Sequence, residues 1–139
     1  MAGSYFVAGE LSHRGYIAFV TTRNIKGIDI VAQNPKNRKT ALIEVKSTGK
    51  QKYCMLHPKD ENPRERNLFY VFVRLSDKRY EIVPSAVVAR TIRRDQKDWL
   101  SKRGKRGRRH KDTDMRKWHF EDKSKYRDNW RVLRLGKTK

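Results

Sequence analysis

The feature that most constrains this chain is a pair of strand-forming segments that carry acids where a core would hold apolar side chains. The segments span residues 28–32 and 41–46, and both are rich in isoleucine, valine and leucine. The stretch between them, residues 34–39, contains Pro35 and two asparagines, which favour a turn. The sequence therefore predicts an antiparallel β-hairpin.

The register of this hairpin predicts which side chains meet. A turn centred between Lys36 and Asn37 places Asp29 opposite Glu44, because the two positions are equally far from the turn. Strand side chains alternate between the two faces, so Glu44 and Lys46 share a face. We expect Asp29, Glu44 and Lys46 to form one small patch on the sheet.

The residue types in this patch favour metal-dependent phosphodiester chemistry. Two facing carboxylates repel each other unless a cation lies between them, and Mg²⁺ or Mn²⁺ accepts such oxygen ligands. Asp29, Glu44 and the carbonyl of Val45 are the candidate metal ligands. The ion would activate water and polarise a scissile phosphate, while Lys46 would position the water or neutralise charge in the transition state.

An ordinary ion network on a half-exposed sheet is the alternative interpretation, since Glu44 and Lys46 are a common solvent-facing pair. The opposition of two acids and their apolar flanks argue against it. If the metal centre is correct, removing Asp29 or Glu44 should abolish cleavage and leave the fold intact. Loss of one facing carboxylate should relieve repulsion in the metal-free protein.

The remaining elements follow from apolar periodicity and from turn and capping residues. The first helix has Ser4 as its N-cap and Gly15 at its C′ position, and the second has Ser85 as its N-cap. In chain order we predict a helix over 4–15, a strand over 16–22, a turn over 23–27, the hairpin, a long connection over 47–66, strands over 68–75 and 80–83, and a helix from 85 to about 100.

The hairpin and the order of elements resemble the PD-(D/E)XK, or restriction-endonuclease-like, nuclease superfamily. The resemblance rests on residues 27–32 and on residues 42–48, which contain the Glu-x-Lys pattern of Glu44 and Lys46. It is closest to small stand-alone predicted endonucleases and archaeal Holliday junction resolvase-like proteins. The position before Asp29 is isoleucine rather than proline. The resemblance implies an α/β fold, in which a mixed β-sheet is flanked by helices in the order α-β-β-β-β-β-α, and a Mg²⁺-dependent nuclease.

Glu10 is a candidate fourth catalytic residue. It lies at the edge of the apolar stripe of the first helix, a poor place for a charge unless something binds it. The resemblance implies the same role, because several members of the superfamily supply a glutamate from this helix. The alternative is a surface ion pair with Arg14, four residues along the helix.

The charge balance favours a nucleic-acid partner. The 139 residues include 35 Lys and Arg against 15 Asp and Glu, a net charge of +20. A chain this basic most simply binds a polyanion, and we expect DNA. The most basic run spans 102–111, and Gln51 is a further candidate contact beyond the hairpin. The candidate contacts of the run are Lys102, Arg103, Lys105, Arg106, Arg108, Arg109 and Lys111.

The basic run divides the chain into two parts within a single domain. Residues 1–100 form the predicted nuclease-like core, and residues 101–139 form a basic loop and a C-terminal extension. Gly104 and Gly107 predict a loose loop, for which a solvated stretch without a partner is the alternative. The extension carries seven large apolar residues between 112 and 135, so we expect it to pack back on the core.

Several classes of protein are excluded by pattern. The longest apolar run, 68–73, is too short to cross a bilayer, and the first residues do not read as a secretory signal. Cys54 is the single cysteine, which excludes a disulfide framework and favours the cytoplasm. Three functions remain besides a general DNA endonuclease: a dimeric structure-selective resolvase, a sequence-specific endonuclease, and a non-catalytic binder on a nuclease scaffold.

Overall fold

The computed structural model of the protein describes residues 2–22, 27–62 and 64–139. Its helices and strands are α1 (Ala2–His13), β1 (Ile17–Val20), β2 (Ile30–Gln33), β3 (Thr40–Thr48), β4 (Tyr53–Leu56), β5 (Leu68–Arg74), β6 (Arg79–Pro84), α2 (Ser85–Ser101) and β7 (Arg116–His119). A five-stranded sheet of order β1-β2-β3-β5-β6 lies at the centre. Strands β3 and β5 are parallel, and the other neighbours are antiparallel.

The mixed α/β fold, a sheet flanked by helices, is confirmed. The five strands of the central sheet are the five predicted from the sequence, with boundaries that differ by at most two residues. The β2–β3 hairpin has the predicted register, since Ile30 pairs with Ile43 and Ala32 with Ala41. Most of the predicted turn over 23–27 lies outside the described residues.

One face of the sheet is covered by α1 and by a short 3₁₀ helix, Trp130–Leu133. Val7 and Leu11 of α1 are fully buried in the same cluster as Ile43 and Trp130. This layer brings the two ends of the chain together over the odd-numbered side chains of β3. It leaves Glu44 and Lys46 on the opposite face.

The predicted N-cap of α1 is wrong. The helix begins at Ala2, and Ser4 is buried inside its first turn. Small residues in this turn let the helix approach β3 closely: a Cβ on Gly3 would lie 2.8 Å from Cβ of Ser47. The helix ends as predicted, with Gly15 at a φ of +89° in the C′ position.

The second face is covered by α2 and by a two-stranded sheet that the sequence did not predict. Strand β4 lies inside the predicted connection over 47–66, and β7 lies in the C-terminal extension. The same connection contains a 3₁₀ helix, Pro58–Glu61. Cys54 of β4 and Trp118 of β7 are buried together with Ile92 of α2. Pairing between such distant segments leaves no local sequence signal.

The start of α2 also differs from the prediction. Pro84 occupies the N-cap position, and Ser85 is the first helical residue. No side chain caps the start of the helix. The Ser85 hydroxyl is buried and donates instead to the carbonyl of Glu65, at 3.5 Å. Because the Ser85 hydroxyl is engaged in this tertiary contact, it does not cap the helix.

The C-terminal extension contributes to both layers. Trp118 and Phe120 are buried against the α2 face, and Trp130, Leu133 and Leu135 are buried against the α1 face. These large apolar side chains help to shield both faces of the sheet from water. The extension is therefore part of the core of the fold.

A buried ion pair lies beneath this extension. Arg79 and Glu81 are adjacent on one face of β6, and their side chains are 3 % and 1 % exposed. Glu81 accepts hydrogen bonds from Arg79 at 2.9 Å, from the indole N–H of Trp118 at 3.2 Å and from the Ser124 hydroxyl at 3.3 Å. Burial raises the pKa of Glu81, and these donors oppose that rise. The network ties β7 and the following loop to the sheet.

Candidate active site

The candidate active site lies where the pairing between β2 and β3 ends. Strand β3 continues past the start of β2, so the N–H of Val45 lacks a backbone partner on that side. The Asp29 carboxylate supplies one: its Oδ2 accepts from the Val45 N–H at 2.7 Å. The backbone of Asp29 is held in turn by its N–H to the Ile43 carbonyl, at 2.8 Å. Asp29 therefore sits one residue before β2, in register with Glu44.

Two cations neutralise Glu44. Its Oε1 lies 3.5 Å from Nζ of Lys46, and its Oε2 lies 3.0 Å from Nη1 of Arg64. Glu44 is only 5 % exposed, which makes an unpaired charge costly. Burial raises the pKa of Glu44; Lys46 opposes this effect, the nearby Asp60 carboxylate adds to it, and Arg64 opposes it.

A second carboxylate, Asp60, lies buried beside Glu44. It is 3 % exposed, and it accepts a hydrogen bond from the Tyr70 hydroxyl at 2.7 Å and from the His57 N–H at 2.9 Å. Tyr70 occupies the position on β5 that pairs with Glu44 on β3. Burial, followed by this hydrogen bond to Asp60, raises the pKa of Tyr70, so its hydroxyl stays a proton donor. Tyr70 therefore connects the two acidic side chains through the sheet.

Sequence reasoning missed Asp60, Arg64 and Tyr70. The first two lie in the segment interpreted as a plain connection, and no local pattern places them over β3. Tyr70 did carry a signal, because its hydroxyl is the single polar side-chain group in the apolar run 68–73. A buried hydroxyl requires a hydrogen-bond partner, which could have prompted a search for a nearby acid.

The structure does not bring Glu10 to this site. Its carboxylate pairs with Arg14 at 3.0 Å, the surface ion pair that the sequence offered as the alternative. The Arg14 guanidinium lies over the ring of Trp130, in the layer that contains α1. Glu10 therefore lies on the face of the sheet opposite Glu44.

The basic run 102–111 is exposed on the far end of α2. It closes on itself through an isolated bridge between Arg103 and Arg109 and a short 3₁₀ turn, Lys105–Gly107. The His110 ring stacks on Trp99 at 4.0 Å between centroids. The run is thus more compact than the loose loop predicted, because the stacking of His110 on Trp99, which lies outside the run, holds its end in place. All seven of its Lys and Arg residues are exposed, as is Gln51 after β3.

The donor set fits a hard divalent ion chemically. Asp29 offers carboxylate oxygens from the residue before β2, Glu44 offers them from β3, and Val45, next to Glu44, offers a backbone carbonyl. Among residues 2–22, 27–62 and 64–139, no three His, Cys, Asp or Glu side chains lie together as a metal-binding group. Two carboxylates are nonetheless a common number for Mg²⁺, which keeps several waters and takes substrate phosphate as a further ligand.

Comparisons with known proteins add a likeness of fold. The sequence matches no protein-family model and no curated protein. A solved structure described as that of a bacterial homing endonuclease, I-Ssp6803I, superposes with a TM-score of 0.60. The match covers 96 % of this chain and 88 % of that chain, at 12 % sequence identity. The two proteins share a mixed α/β fold. Within the residues described here, no helix has the length and apolarity to span a membrane.

Proposed function

We propose that this protein is a metal-dependent DNA endonuclease with a PD-(D/E)XK-type centre. The observation that supports this most is the hairpin register, which sets Asp29 across from Glu44 and places Lys46 on the Glu44 face. The shared fold with a homing endonuclease supports it independently. A divalent ion, Mg²⁺ or Mn²⁺, would supply Lewis-acid activation of water and phosphate.

Each residue of the centre has a separate role in this proposal. Asp29, Glu44 and the Val45 carbonyl would hold the ion. Lys46, whose side chain is 22 % exposed and whose ammonium lies beside Glu44, would orient the attacking water or neutralise charge on the phosphorane. Asp60 and Tyr70 would hold the floor of the site in place, since their hydrogen bond is buried next to Glu44.

DNA is the proposed substrate because of charge. The net charge of +20 gives the chain a strong attraction for phosphates, and the exposed basic run 102–111 concentrates seven of the cations. The part of the chain that the structure describes contains no helix-turn-helix or zinc finger that would read a long sequence. We therefore propose recognition of the DNA backbone or of DNA shape rather than of an extended base sequence.

A cleavage panel tests the proposal. The purified protein is incubated with Mg²⁺ or Mn²⁺ and supercoiled, linear, single-stranded, flapped and four-way-junction DNA. We expect metal-dependent cleavage by the wild type and none by Glu44→Gln. Glu10→Gln is the matched control, since it removes the same charge on the opposite face and should leave cleavage unchanged. Binding without cleavage of any member would contradict the proposal and favour a non-catalytic binder.

The same panel separates the finer alternatives. Selective cutting of the four-way junction, together with a dimer in sedimentation analysis, would favour a resolvase-like enzyme with two centres. Cutting of linear duplex at a fixed sequence would favour a sequence-specific endonuclease. We propose the general endonuclease because the described residues carry the candidate catalytic patch and a basic surface but no base-reading element.

A further inference from the structure

We propose that Arg64 is a further residue of the nuclease centre. In the metal-free site its guanidinium is the counter-ion of Glu44. It would leave Glu44 when a divalent ion binds there, and it would then contact the scissile phosphate. This inference rests on the proposed function, because it assumes that Glu44 is a metal ligand. It assigns to Arg64 both competition with the metal and contact with the substrate.

The first support is the position of the guanidinium between the two strands that carry the acids. Nη1 of Arg64 donates to Oε2 of Glu44 at 3.0 Å and to the Gly27 carbonyl at 3.2 Å. Gly27 lies two residues before Asp29, in the segment that leads into β2. Arg64 thus bridges the segments whose carboxylates would hold the ion.

The second support is that the chain leaves room for this group. Gly27 has a φ of +72°, which favours glycine, and a Cβ at this position would lie 2.6 Å from both Nη1 and Nη2 of Arg64. A side chain at residue 27 would therefore expel the guanidinium. The absence of a side chain at residue 27 leaves the guanidinium space to reach Glu44.

The third support is that Arg64, rather than Lys46, is the releasable cation. Lys46 lies on the same strand as Glu44, two residues away, so its backbone stays beside the site whichever rotamer its side chain adopts. Arg64 extends from a loop and uses one nitrogen for Glu44, which is a weaker arrangement than a two-nitrogen fork. Its second ionic partner, Glu65, is 3.9 Å away and largely exposed.

Charge balance gives the order of events. In the metal-free site the three carboxylates of Asp29, Glu44 and Asp60 are accompanied by two cations, Lys46 and Arg64. Adding a divalent ion turns this deficit of one positive charge into an excess of one, which favours release of Arg64 and arrival of a phosphate. The freed guanidinium presents several N–H donors to that anion. Metal binding without DNA should accordingly be weakened by Arg64.

The test is Mn²⁺ binding to the DNA-free protein by isothermal titration calorimetry. Arg64→Gln should bind Mn²⁺ about tenfold more tightly than the wild type, because a partly buried competitor for Glu44 is gone. Arg66→Gln removes the same charge from an exposed neighbour and should match the wild type. Arg64→Lys is a second control, because it retains the positive charge. Its Mn²⁺ affinity should stay near that of the wild type, which would show that the change in Arg64→Gln comes from the lost charge and not from misfolding.

A second measurement tests the phosphate contact. At saturating Mn²⁺ and DNA, Arg64→Gln should cut at least tenfold more slowly, with partial recovery in Arg64→Lys. Tighter metal binding combined with slower cutting is a pattern that a purely structural residue would not give. Equal Mn²⁺ affinity in the wild type and Arg64→Gln would overturn the inference.

The outcomes separate this inference from the proposed function. If the wild type and Arg64→Gln bind Mn²⁺ equally and Glu44→Gln does not bind it, the metal centre stands and the role of Arg64 is refuted. If Glu44→Gln binds Mn²⁺ as well as the wild type, the proposed ligand set is wrong, and the inference falls with it.

Discussion

Replacing Asp29 by alanine and by asparagine should separate its structural role from its chemical one. Sequence reasoning predicted that Asp29→Ala would leave the fold intact or stabilise it. The structure changes this expectation, because Oδ2 of Asp29 is the partner of the Val45 N–H at 2.7 Å. Alanine leaves that partly buried N–H without an acceptor, whereas asparagine can still accept the hydrogen bond through its amide oxygen.

The size of the effect follows from the hydrogen bond. A bond to a charged group contributes about 1.5–3 kcal/mol net, and the partial exposure of Asp29 places it near the lower end. The entropy of unfolding is about 2.1 cal/mol/K per residue, or about 0.3 kcal/mol/K for this chain. Asp29→Ala should therefore lower Tm by about 5 °C. Asp29→Asn, which keeps a neutral hydrogen bond, should lower it by about 2 °C.

The assay is thermal unfolding by circular dichroism without metal, beside DNA cleavage with Mn²⁺. Asp77→Ala is the control, since it also removes a hydrogen-bonded carboxylate, but one that pairs with Arg74 in an exposed turn. We expect it to shift Tm by less than 3 °C, as exposed ion pairs contribute about 1 kcal/mol or less. Both Asp29 variants should lose cleavage. Equal Tm values for the two Asp29 variants would refute the hydrogen-bond argument, and cleavage by either would refute the proposed centre.

Four further predictions concern other parts of the chain. Lys46→Ala should reduce turnover strongly with little change in Mn²⁺ affinity; calorimetry and kinetics together check this, and a loss of affinity without a loss of turnover would contradict it. Replacing four cations of the run 102–111 by serine should flatten the slope of log K against log salt by about three to four units in fluorescence anisotropy, with affinity lowered alike for all DNA sequences; parallel lines would place the binding surface elsewhere. Arg79→Met should destabilise the fold by about 3–5 kcal/mol in urea unfolding, because it leaves Glu81 buried and unpaired, and replacing both residues by methionine should cost less. Burial raises the pKa of Cys54 to about 12, so a thiol reagent at pH 8 should label it only after denaturation; rapid labelling of the native protein would contradict its burial.

The hairpin shows how much of the site could be predicted from the sequence. The distance of Asp29 and Glu44 from a turn between Lys36 and Asn37 fixes their register, because strand pairing advances one residue on each side. The alternation of strand side chains places Lys46 with Glu44. Both rules are local, and they hold wherever the hairpin forms.

The partners of these residues could not be predicted in this way. Arg64 and Asp60 reach Glu44 from a segment that carries no regular pattern, and Tyr70 reaches it through the parallel pairing of β3 with β5. Glu10 shows the reverse case: its helix was predicted, but whether its carboxylate faced the site depended on which side of the sheet the helix packs. The sequence left that choice open, and tertiary packing decided it.

The sequence by itself determined the five strands of the central sheet, the two helices and the register of the hairpin. These depend on apolar periodicity and on turn residues, which act over a few positions. Only the tertiary structure decided that β4 pairs with β7 and that Arg64 rather than solvent neutralises Glu44. Such contacts join segments that are 20 or more residues apart, and their stability comes from burial and charge pairing that exist only after the chain has closed on itself.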